Sequence, residues 1–579
     1  MSIDTAGNKS GNARVRLTHV GTSAVLTKRR AWIVAAAILV AMGLYFYRHE
    51  GWPANIAFTM SITALLVATV AFVSRRALFA TAIIAAAVAV IVIAATIKFR
   101  YIGMVLHAYD LAFYLLSPDT LWYLWIDFRW ELIALGVAIV AIVAGSVLLY
   151  RADPTRVSRP VAAGAIAVLL LTGVVADRLR GERPHLLFYW DALFVSSFYS
   201  SWAETAVTLW RGQMIEAAAY EPGERLFNQP LGCPVRERPP HIILIHQESV
   251  VPPSIYPEIA YDHSIDPLFR SGDGSVRKLR TETFGGASWL TEFSVLAGVS
   301  TYSFGGMRTF VQSMMQGKVK DSVPQELARC GYQNVMFYPV PKHFVSSGKF
   351  YASIGFPEIN DFKAQGSTRY NERDRFYYGN VLNRMDKHFA NSRAPLFTFV
   401  LTSATHLPYT QPHSPEENVP GGLEGTDPEM HEYLRRLSLA RIDLEWFRSE
   451  LKSRFPDERF LIVQYGDHQP IVTRPLLGFG KTVETHNMVM PPDSKAFLTY
   501  YAAEGINYRV PALPDVETLD VPYLGTLMLK LAGLPLSEAG EERLRLMQRC
   551  GGAYYLCSHP EEILAFHRRL IDSGLLEAR

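Results

Sequence analysis

Phe460-Leu461-Ile462-Val463-Gln464-Tyr465-Gly466 is an apolar, β-leaning run that ends in glycine, and Asp467-His468 follows at once. A carboxylate beside an imidazole is a mixed oxygen and nitrogen donor pair suited to Zn²⁺ or Mn²⁺. Standing alone, the pair also reads as a solvated turn. A second strand-like run, His241 to Gln247, leads into Glu248-Ser249. A third, Lys278 to Phe284, leads into Gly285-Gly286-Ala287-Ser288-Trp289-Leu290-Thr291-Glu292. Paired glycines let the backbone turn sharply and approach a ligand closely. An apolar helical pattern follows, so Ser288 falls near a helix N-terminus, where orphan amides and the helix dipole favour an anion such as phosphate. A serine hydroxyl becomes a good nucleophile when a divalent metal lowers its pKa. The competing reading of Ser288 is a helix N-cap. Thr283, Thr291 and Ser294 are rival hydroxyls, with Thr291 first among them.

Such residues meet only if their strand ends lie side by side. Strand-like runs fall at 241–247, 278–284, 333–338, 396–402 and 459–465, with helical patterns between them, for example 321–330 and 428–454. Strands separated by helices predict a mostly parallel α/β sheet. In such sheets ligands bind at the carboxyl ends of the strands.

The N-terminal part of the 579-residue chain is different in kind. Apolar runs at 31–47, 55–73, 78–97, 131–150 and 160–176 approach the ~20 residues needed to span a bilayer. Arg14, Arg16, Lys28, Arg29 and Arg30 precede the first run, Arg75 and Arg76 the third, and Arg151, Arg156 and Arg159 the fifth. The positive-inside rule puts these in the cytoplasm and everything after about residue 177 outside. Arg178, Arg180 and Arg183 run mildly against that orientation. The first run lacks a small-residue cleavage site and reads as a retained span. The predicted organisation is a disordered cytoplasmic leader (1–30), a transmembrane domain with interfacial helices (31–176), an amphipathic linker (177–238) and an extracytoplasmic domain (239–579). Aromatic-rich stretches at 98–130 and 185–210 are expected at the membrane surface.

Net charge is +3 and the basic residues form no stripe, so no nucleic-acid partner is expected. Cys233, Cys330, Cys550 and Cys557 all lie in the part predicted outside, where disulfides form, and Cys550–Cys557 is the favoured pair. The alternative is four buried thiols.

Glu248-Ser249, the glycine-rich turn with Ser288, and Tyr465-Gly466-Asp467-His468 follow one another in an order that resembles the lipoteichoic acid synthases and related phosphoglycerol and phosphoethanolamine transferases. These belong to the alkaline-phosphatase/sulfatase superfamily. The resemblance implies five spans followed by an extracytoplasmic sulfatase-like domain. It implies one divalent metal, Mn²⁺ or Zn²⁺, on Glu248, Ser288, Asp467 and His468, and Ser288 as the nucleophile that becomes phosphorylated. The family usually has Thr at that position, so Ser288 is a departure that keeps the hydroxyl. His406, in Leu401-Thr402-Ser403-Ala404-Thr405-His406-Leu407-Pro408, resembles the family's substrate-pocket histidine, against the reading of an exposed loop histidine. Tyr338-Pro339-Val340-Pro341-Lys342-His343 lies where the family places substrate-binding residues. Lys342, His343 and Lys349 are therefore candidates for phosphate contact, against a plain surface role, and the family's Trp and Arg have no clear match.

The activity implied is metal-dependent transfer of a phospholipid head group, phosphoglycerol from phosphatidylglycerol first, to a glycan or polymer hydroxyl at the inner membrane. Phosphoethanolamine transfer, phosphodiester hydrolysis and an inactive membrane sensor are the alternatives. A formylglycine sulfatase would need Cys or Ser followed by x-Pro-x-Arg, whereas Ser288 is followed by Trp289-Leu290-Thr291.

Overall fold

A computed structural model describes residues 27–111, 118–181, 193–211, 214–221, 225–228, 232–233, 238–479 and 490–578. Most of the predicted leader, with Tyr114, Phe188, Tyr189 and Trp190 of the aromatic stretches, lies outside the described residues.

Helices α1 (Lys28–His49), α2 (Pro53–Ser74), α3 (Ala77–Ile102), α5 (Arg129–Ala152) and α6 (Arg159–Arg180) are long and apolar enough to cross a membrane. The short α4 (Pro118–Asp127) precedes α5. Large apolar side chains such as Val40, Leu44, Val140, Leu148 and Leu171 face outward, while many of the buried ones are small or hydroxylated: Ala31, Ala35, Thr59, Thr63, Ala80 and Thr81. Close approach of small residues is what packs helices in lipid, where burying leucine gains nothing over leaving it in hydrocarbon. The loops that carry Arg75–Arg76 and Arg151–Arg159 meet at one end of the bundle. Asp153 Oδ2 accepts from the Phe79 amide (2.9 Å) and Thr155 Oγ1 from the Ala77 amide (2.7 Å), so this loop caps the start of α3.

Helix α7 (Phe194–Arg211) packs on α2 and α3. The buried carboxylate of Glu50 accepts from the Val195 and Ser196 amides (3.0 and 3.1 Å), satisfying donors that a helix N-terminus leaves free. Asn55 donates to Ser196 Oγ (2.9 Å), while Trp202, Val207 and Trp210 remain exposed. Helix α7 covers the described part of the 185–210 stretch.

The eight-stranded sheet runs β4-β3-β5-β1-β6-β7-β2-β8. Its strands are β1 (His241–Gln247), β2 (Arg277–Arg280), β3 (Gln333–Phe337), β4 (Glu358–Asn360), β5 (Leu396–Thr402), β6 (Phe460–Gly466), β7 (Leu498–Ile506) and β8 (Thr518–Asp520). Only β7 runs antiparallel to its neighbours. β1, β5 and β6 are buried along their whole length, as central parallel strands covered on both faces require. Helix α8 (Ser288–Ala297) packs in the core on one face of the sheet, and α9 (Asp374–Asn391) and α10 (Pro428–Arg454) pack on the other.

The predicted strand at 278–284 ends early, at Arg280. After Arg280 the chain leaves the ladder, the Thr281 amide turns to the Phe497 carbonyl, and Thr283 Oγ1 donates to the Gly286 carbonyl (2.6 Å). These local bonds shape the turn before Ser288. Disulfides join Cys233 to Cys330 and Cys550 to Cys557, and among the described residues no cysteine is free.

Candidate active site

Register brings the site residues together. In the β1–β6 pair His246 lies opposite Tyr465 and Gln247 opposite Gly466, so Glu248 and Asp467 leave adjacent parallel strands at the same edge. Gly466 has no room for a side chain: a Cβ there would lie 1.9 Å from the Val250 carbonyl oxygen. The chain can therefore cross tightly between the two ligand-bearing segments.

Ser288 arrives from the other direction as the first residue of α8. The cap position belongs to Ala287, held at φ 62° after Gly285 (φ 72°) and Gly286 (φ 149°), and it makes no side-chain capping bond. Ser288 is thus not the N-cap. Its half-buried hydroxyl donates to Glu248 Oε2 (2.8 Å) and lies 3.4 Å from His468 Nε2. The rival hydroxyls are engaged elsewhere: Thr291 donates to the Asp467 carbonyl (2.8 Å), Ser294 to Glu282 (3.0 Å) and Thr283 to Gly286.

His468 Nδ1 donates to the Gln469 carbonyl (2.9 Å), which leaves Nε2 to face Glu248 Oε1 (3.2 Å) and Asp467 Oδ2 (3.4 Å). Burial alone would lower the His468 pKa, but the carboxylates of Asp467 and Glu248 push it up to about 9. Burial opposes ionisation of Glu248 too, yet His468 holds its pKa well below the ordinary value. Two carboxylates, an imidazole nitrogen and a hydroxyl converge here. That donor set fits a divalent metal of the Zn²⁺ or Mn²⁺ kind.

His246, inside β1, is a site residue that the strand pattern alone does not single out. Its Nε2, one Glu248 oxygen and one Asp467 oxygen lie within 4.8 Å of one another. Both its nitrogens are occupied, Nε2 by Asp467 Oδ2 (3.1 Å) and Nδ1 by the Tyr465 hydroxyl (2.9 Å). It therefore orients Asp467, while His468 presents Nε2, the nitrogen that would give up its proton to hold a metal. Asp467 Oδ1 also accepts from the Ser249 and His468 amides, both at 2.7 Å. The findable signal was alternation: His246 and Glu248 are two residues apart and leave the strand on one side.

His406 lies at the rim. It is exposed, its Nδ1 donates to the Leu407 carbonyl (2.7 Å), and its charge bears on Glu248. Lys342 and His343 are exposed on a loop that packs against α8 through Phe344 and Trp289 (ring centroids 6.1 Å). No described side-chain bond links Lys342 or His343 to the strand-end cluster. Lys349 is likewise exposed.

The site is coupled to the membrane helices. Trp289 Nε1 donates to the Thr309 carbonyl (2.8 Å). In the same 301–310 segment, Gly306 lies so close to α7 that a Cβ would meet Glu204 Oε2 at 2.2 Å. Phe310 stacks near His107 and Tyr109 (5.7 and 5.6 Å), beside the Lys98–Asp110 ion pair (2.7 Å).

Residues 280–511 match the Sulfatase family model. An uncharacterized protein of Haemophilus influenzae is 23% identical over 309 residues, and the match spans about half of each chain. Among solved structures, the Streptococcus pyogenes phosphoglycerol transferase GacH, in complex with sn-glycerol-1-phosphate, is similar at 16% identity and TM-score 0.46, covering 59% of this chain and 87% of that one. The Neisseria meningitidis lipooligosaccharide phosphoethanolamine transferase EptA is similar at 12% identity and TM-score 0.45, covering 87% of this chain and 96% of that one. The matched stretch carries Ser288, Asp467 and His468, and Glu248 lies before it at the end of β1.

Proposed function

We propose that the chain transfers a phospholipid head group, phosphoglycerol from phosphatidylglycerol in the first instance, to a glycan or polymer hydroxyl through a phosphorylated Ser288. The observation that carries this reading is the Ser288 hydroxyl, at a helix N-terminus, bonded to Glu248 beside Asp467 and His468. A bound divalent metal would lower the pKa of the Ser288 hydroxyl and offset charge on the phosphoryl oxygens. Glu248, Asp467 and His468 would hold it together with Ser288 Oγ. Ser288 Oγ forms a bond to phosphorus as the bond from phosphorus to the diacylglycerol oxygen breaks. His406 Nε2 supplies a proton to that leaving oxygen; in the second step it takes one from the acceptor hydroxyl as the acceptor oxygen bonds to phosphorus and the Ser288 Oγ–phosphorus bond breaks. Amides at the start of α8 face the same anion.

The glycan or polymer acceptor and the phosphoglycerol head group are those implied by the sequence resemblance. Five apolar helices, exposed aromatics on α7 and two disulfides support an inner-membrane protein with this domain outside.

Intact-mass analysis of the full chain in detergent, loaded with Mn²⁺ or Zn²⁺ and mixed with phosphatidylglycerol or phosphatidylethanolamine, tests the proposal. A phosphoglycerol adduct on Ser288 is expected. A phosphoethanolamine adduct would change the head group and keep the mechanism. Full lipid turnover and an adduct in Ser288→Ala would overturn it.

A further inference from the structure

We infer that Arg436, on α10, is a positioning residue for His406, and this rests on the reading of His406 as a group at the reacting phosphate. Arg436 is 2% exposed and lies beneath the loop that follows β5. Its Nη1 donates to the carbonyls of His406 (2.6 Å) and Ala404 (3.3 Å), and its Nη2 to those of Pro408 (2.8 Å) and Gln411 (3.2 Å). Its Nε donates to Glu432 Oε1 (2.8 Å), one helical turn earlier. One side chain therefore gathers four carbonyls from a loop that has no ladder to satisfy them.

The chemistry selects arginine. A planar guanidinium carries five donors in a fixed fork, so it can bind several carbonyls and a carboxylate at once. A lysine ammonium has three donors at a single point. A buried charge is tolerated only with a partner. Here the partner is Glu432, which also accepts from the His413 amide (2.7 Å) further along the same loop.

The loop is fixed on its other sides as well. Asp374 Oδ1 accepts from the Ala404 amide (3.2 Å), and the Thr405 hydroxyl donates to the carbonyl of Glu248, the residue that also accepts from Ser288. His406 sits between Thr405, tied to Glu248, and a backbone carbonyl bound by Arg436. Its imidazole Nδ1 donates to the Leu407 carbonyl, next to it in the same loop. The ring's position is thus inherited from the backbone, and Arg436 sets that backbone. A misplacement of ~1 Å can cost ~100-fold in rate.

A double-mutant cycle on the full chain, with phosphatidylglycerol in mixed micelles as the probe, tests this. Arg436→Lys is expected to slow turnover by ~10–100-fold. His406→Ala is expected to slow it at least as much, and the double variant should be no slower than His406→Ala alone. Losses that multiply would show Arg436 acting independently of His406 and would overturn the inference. Arg436→Lys at the wild-type rate, with His406→Ala slow, overturns it alone. His406→Ala at the wild-type rate overturns the assigned role of His406 and this inference with it. If Arg436→Lys does not fold, Glu432→Gln keeps the guanidinium and loosens its anchor. A several-fold loss with faster amide exchange across 405–411 is then expected, whereas a lowered melting temperature at an unchanged rate would mean a purely structural arginine.

Discussion

The membrane helices and the sheet domain solve opposite solvation problems, and their buried polar groups fall in different places for that reason. Along the spans large apolar side chains face outward, and α5 buries none of its residues. Buried polar groups gather at both ends of the bundle: Glu50, Asn55, His107 and Ser201 where it meets α7 and the 301–310 segment, and Asp153 and Thr155 at the other end. In the sheet domain apolar side chains are buried, and Glu248, Asp467, His468 and Gln469 line the carboxyl edge of the central strands. Lipid leaves the bundle no hydrophobic drive to assemble, so polar bonds fix where its pieces join. In the sheet domain apolar packing fixes the sheet and its helices, and buried polar groups hold the loops and line the site.

The largest effects should come from the sheet edge. Asp467→Asn turns an acceptor of three protein donors into a group that also donates. It should abolish metal retention, read by elemental analysis, and cut lipid turnover by at least ~100-fold. His246→Ala removes one of those donors and should weaken metal affinity by ~10–100-fold. A variant that kept its metal at wild-type affinity would show that the carboxylate needs no orienting histidine. At the bundle end the expected effect is smaller and of another kind. Glu50→Ala leaves the Val195 and Ser196 amides without their acceptor, at a cost of ~1–3 kcal/mol. Amide exchange at the start of α7 should speed up, and lipid turnover should fall while hydrolysis of a soluble phosphodiester, bis(4-nitrophenyl) phosphate, is kept. Equal loss of both activities would erase the distinction between the regions.

The two regions also differed in how far the sequence could be read. Apolar runs of span length mapped onto helices within a few residues, because in lipid composition alone decides the element. Glu248, Asp467 and His468 were legible because each follows a buried strand, and Ser288 because glycines precede it. β4 and β8, with three residues each, carry too little pattern to be seen. β7 is the antiparallel strand, and nothing local to it announces a change of direction. His246 was hidden inside an apolar run, where its bond to Asp467 depends on a residue 221 positions away. Arg436 was hidden by its own helix: among the charges of 428–454 it looks like one more surface arginine, until the loop it supports is folded over it.

Asp374 offers the finest test of the contrast. At the bundle end the carboxylate of Asp110 has a cation, Lys98, at 2.7 Å. In the sheet domain Asp374 is fully buried and accepts from the Ala404 amide and the Thr402 side chain. Burial first, and then the nearby Asp443, push its pKa up to about 7. An unfolded aspartate titrates at ~3.9. The native state therefore holds a proton that the unfolded chain releases. The stability linked to it is fully present below about pH 4 and is lost progressively as pH rises to about 7. Asp374→Asn keeps an acceptor for the Ala404 amide and cannot ionise. The difference in melting temperature between variant and wild type should therefore grow in the variant's favour from pH 4 to 7, by several degrees at roughly 2–4 °C per kcal/mol, and stay constant above. Melting curves that shift in parallel across that window would mean that Asp374 is ionised in the fold, and that the sheet domain, like the bundle end, supplies it with compensating charge.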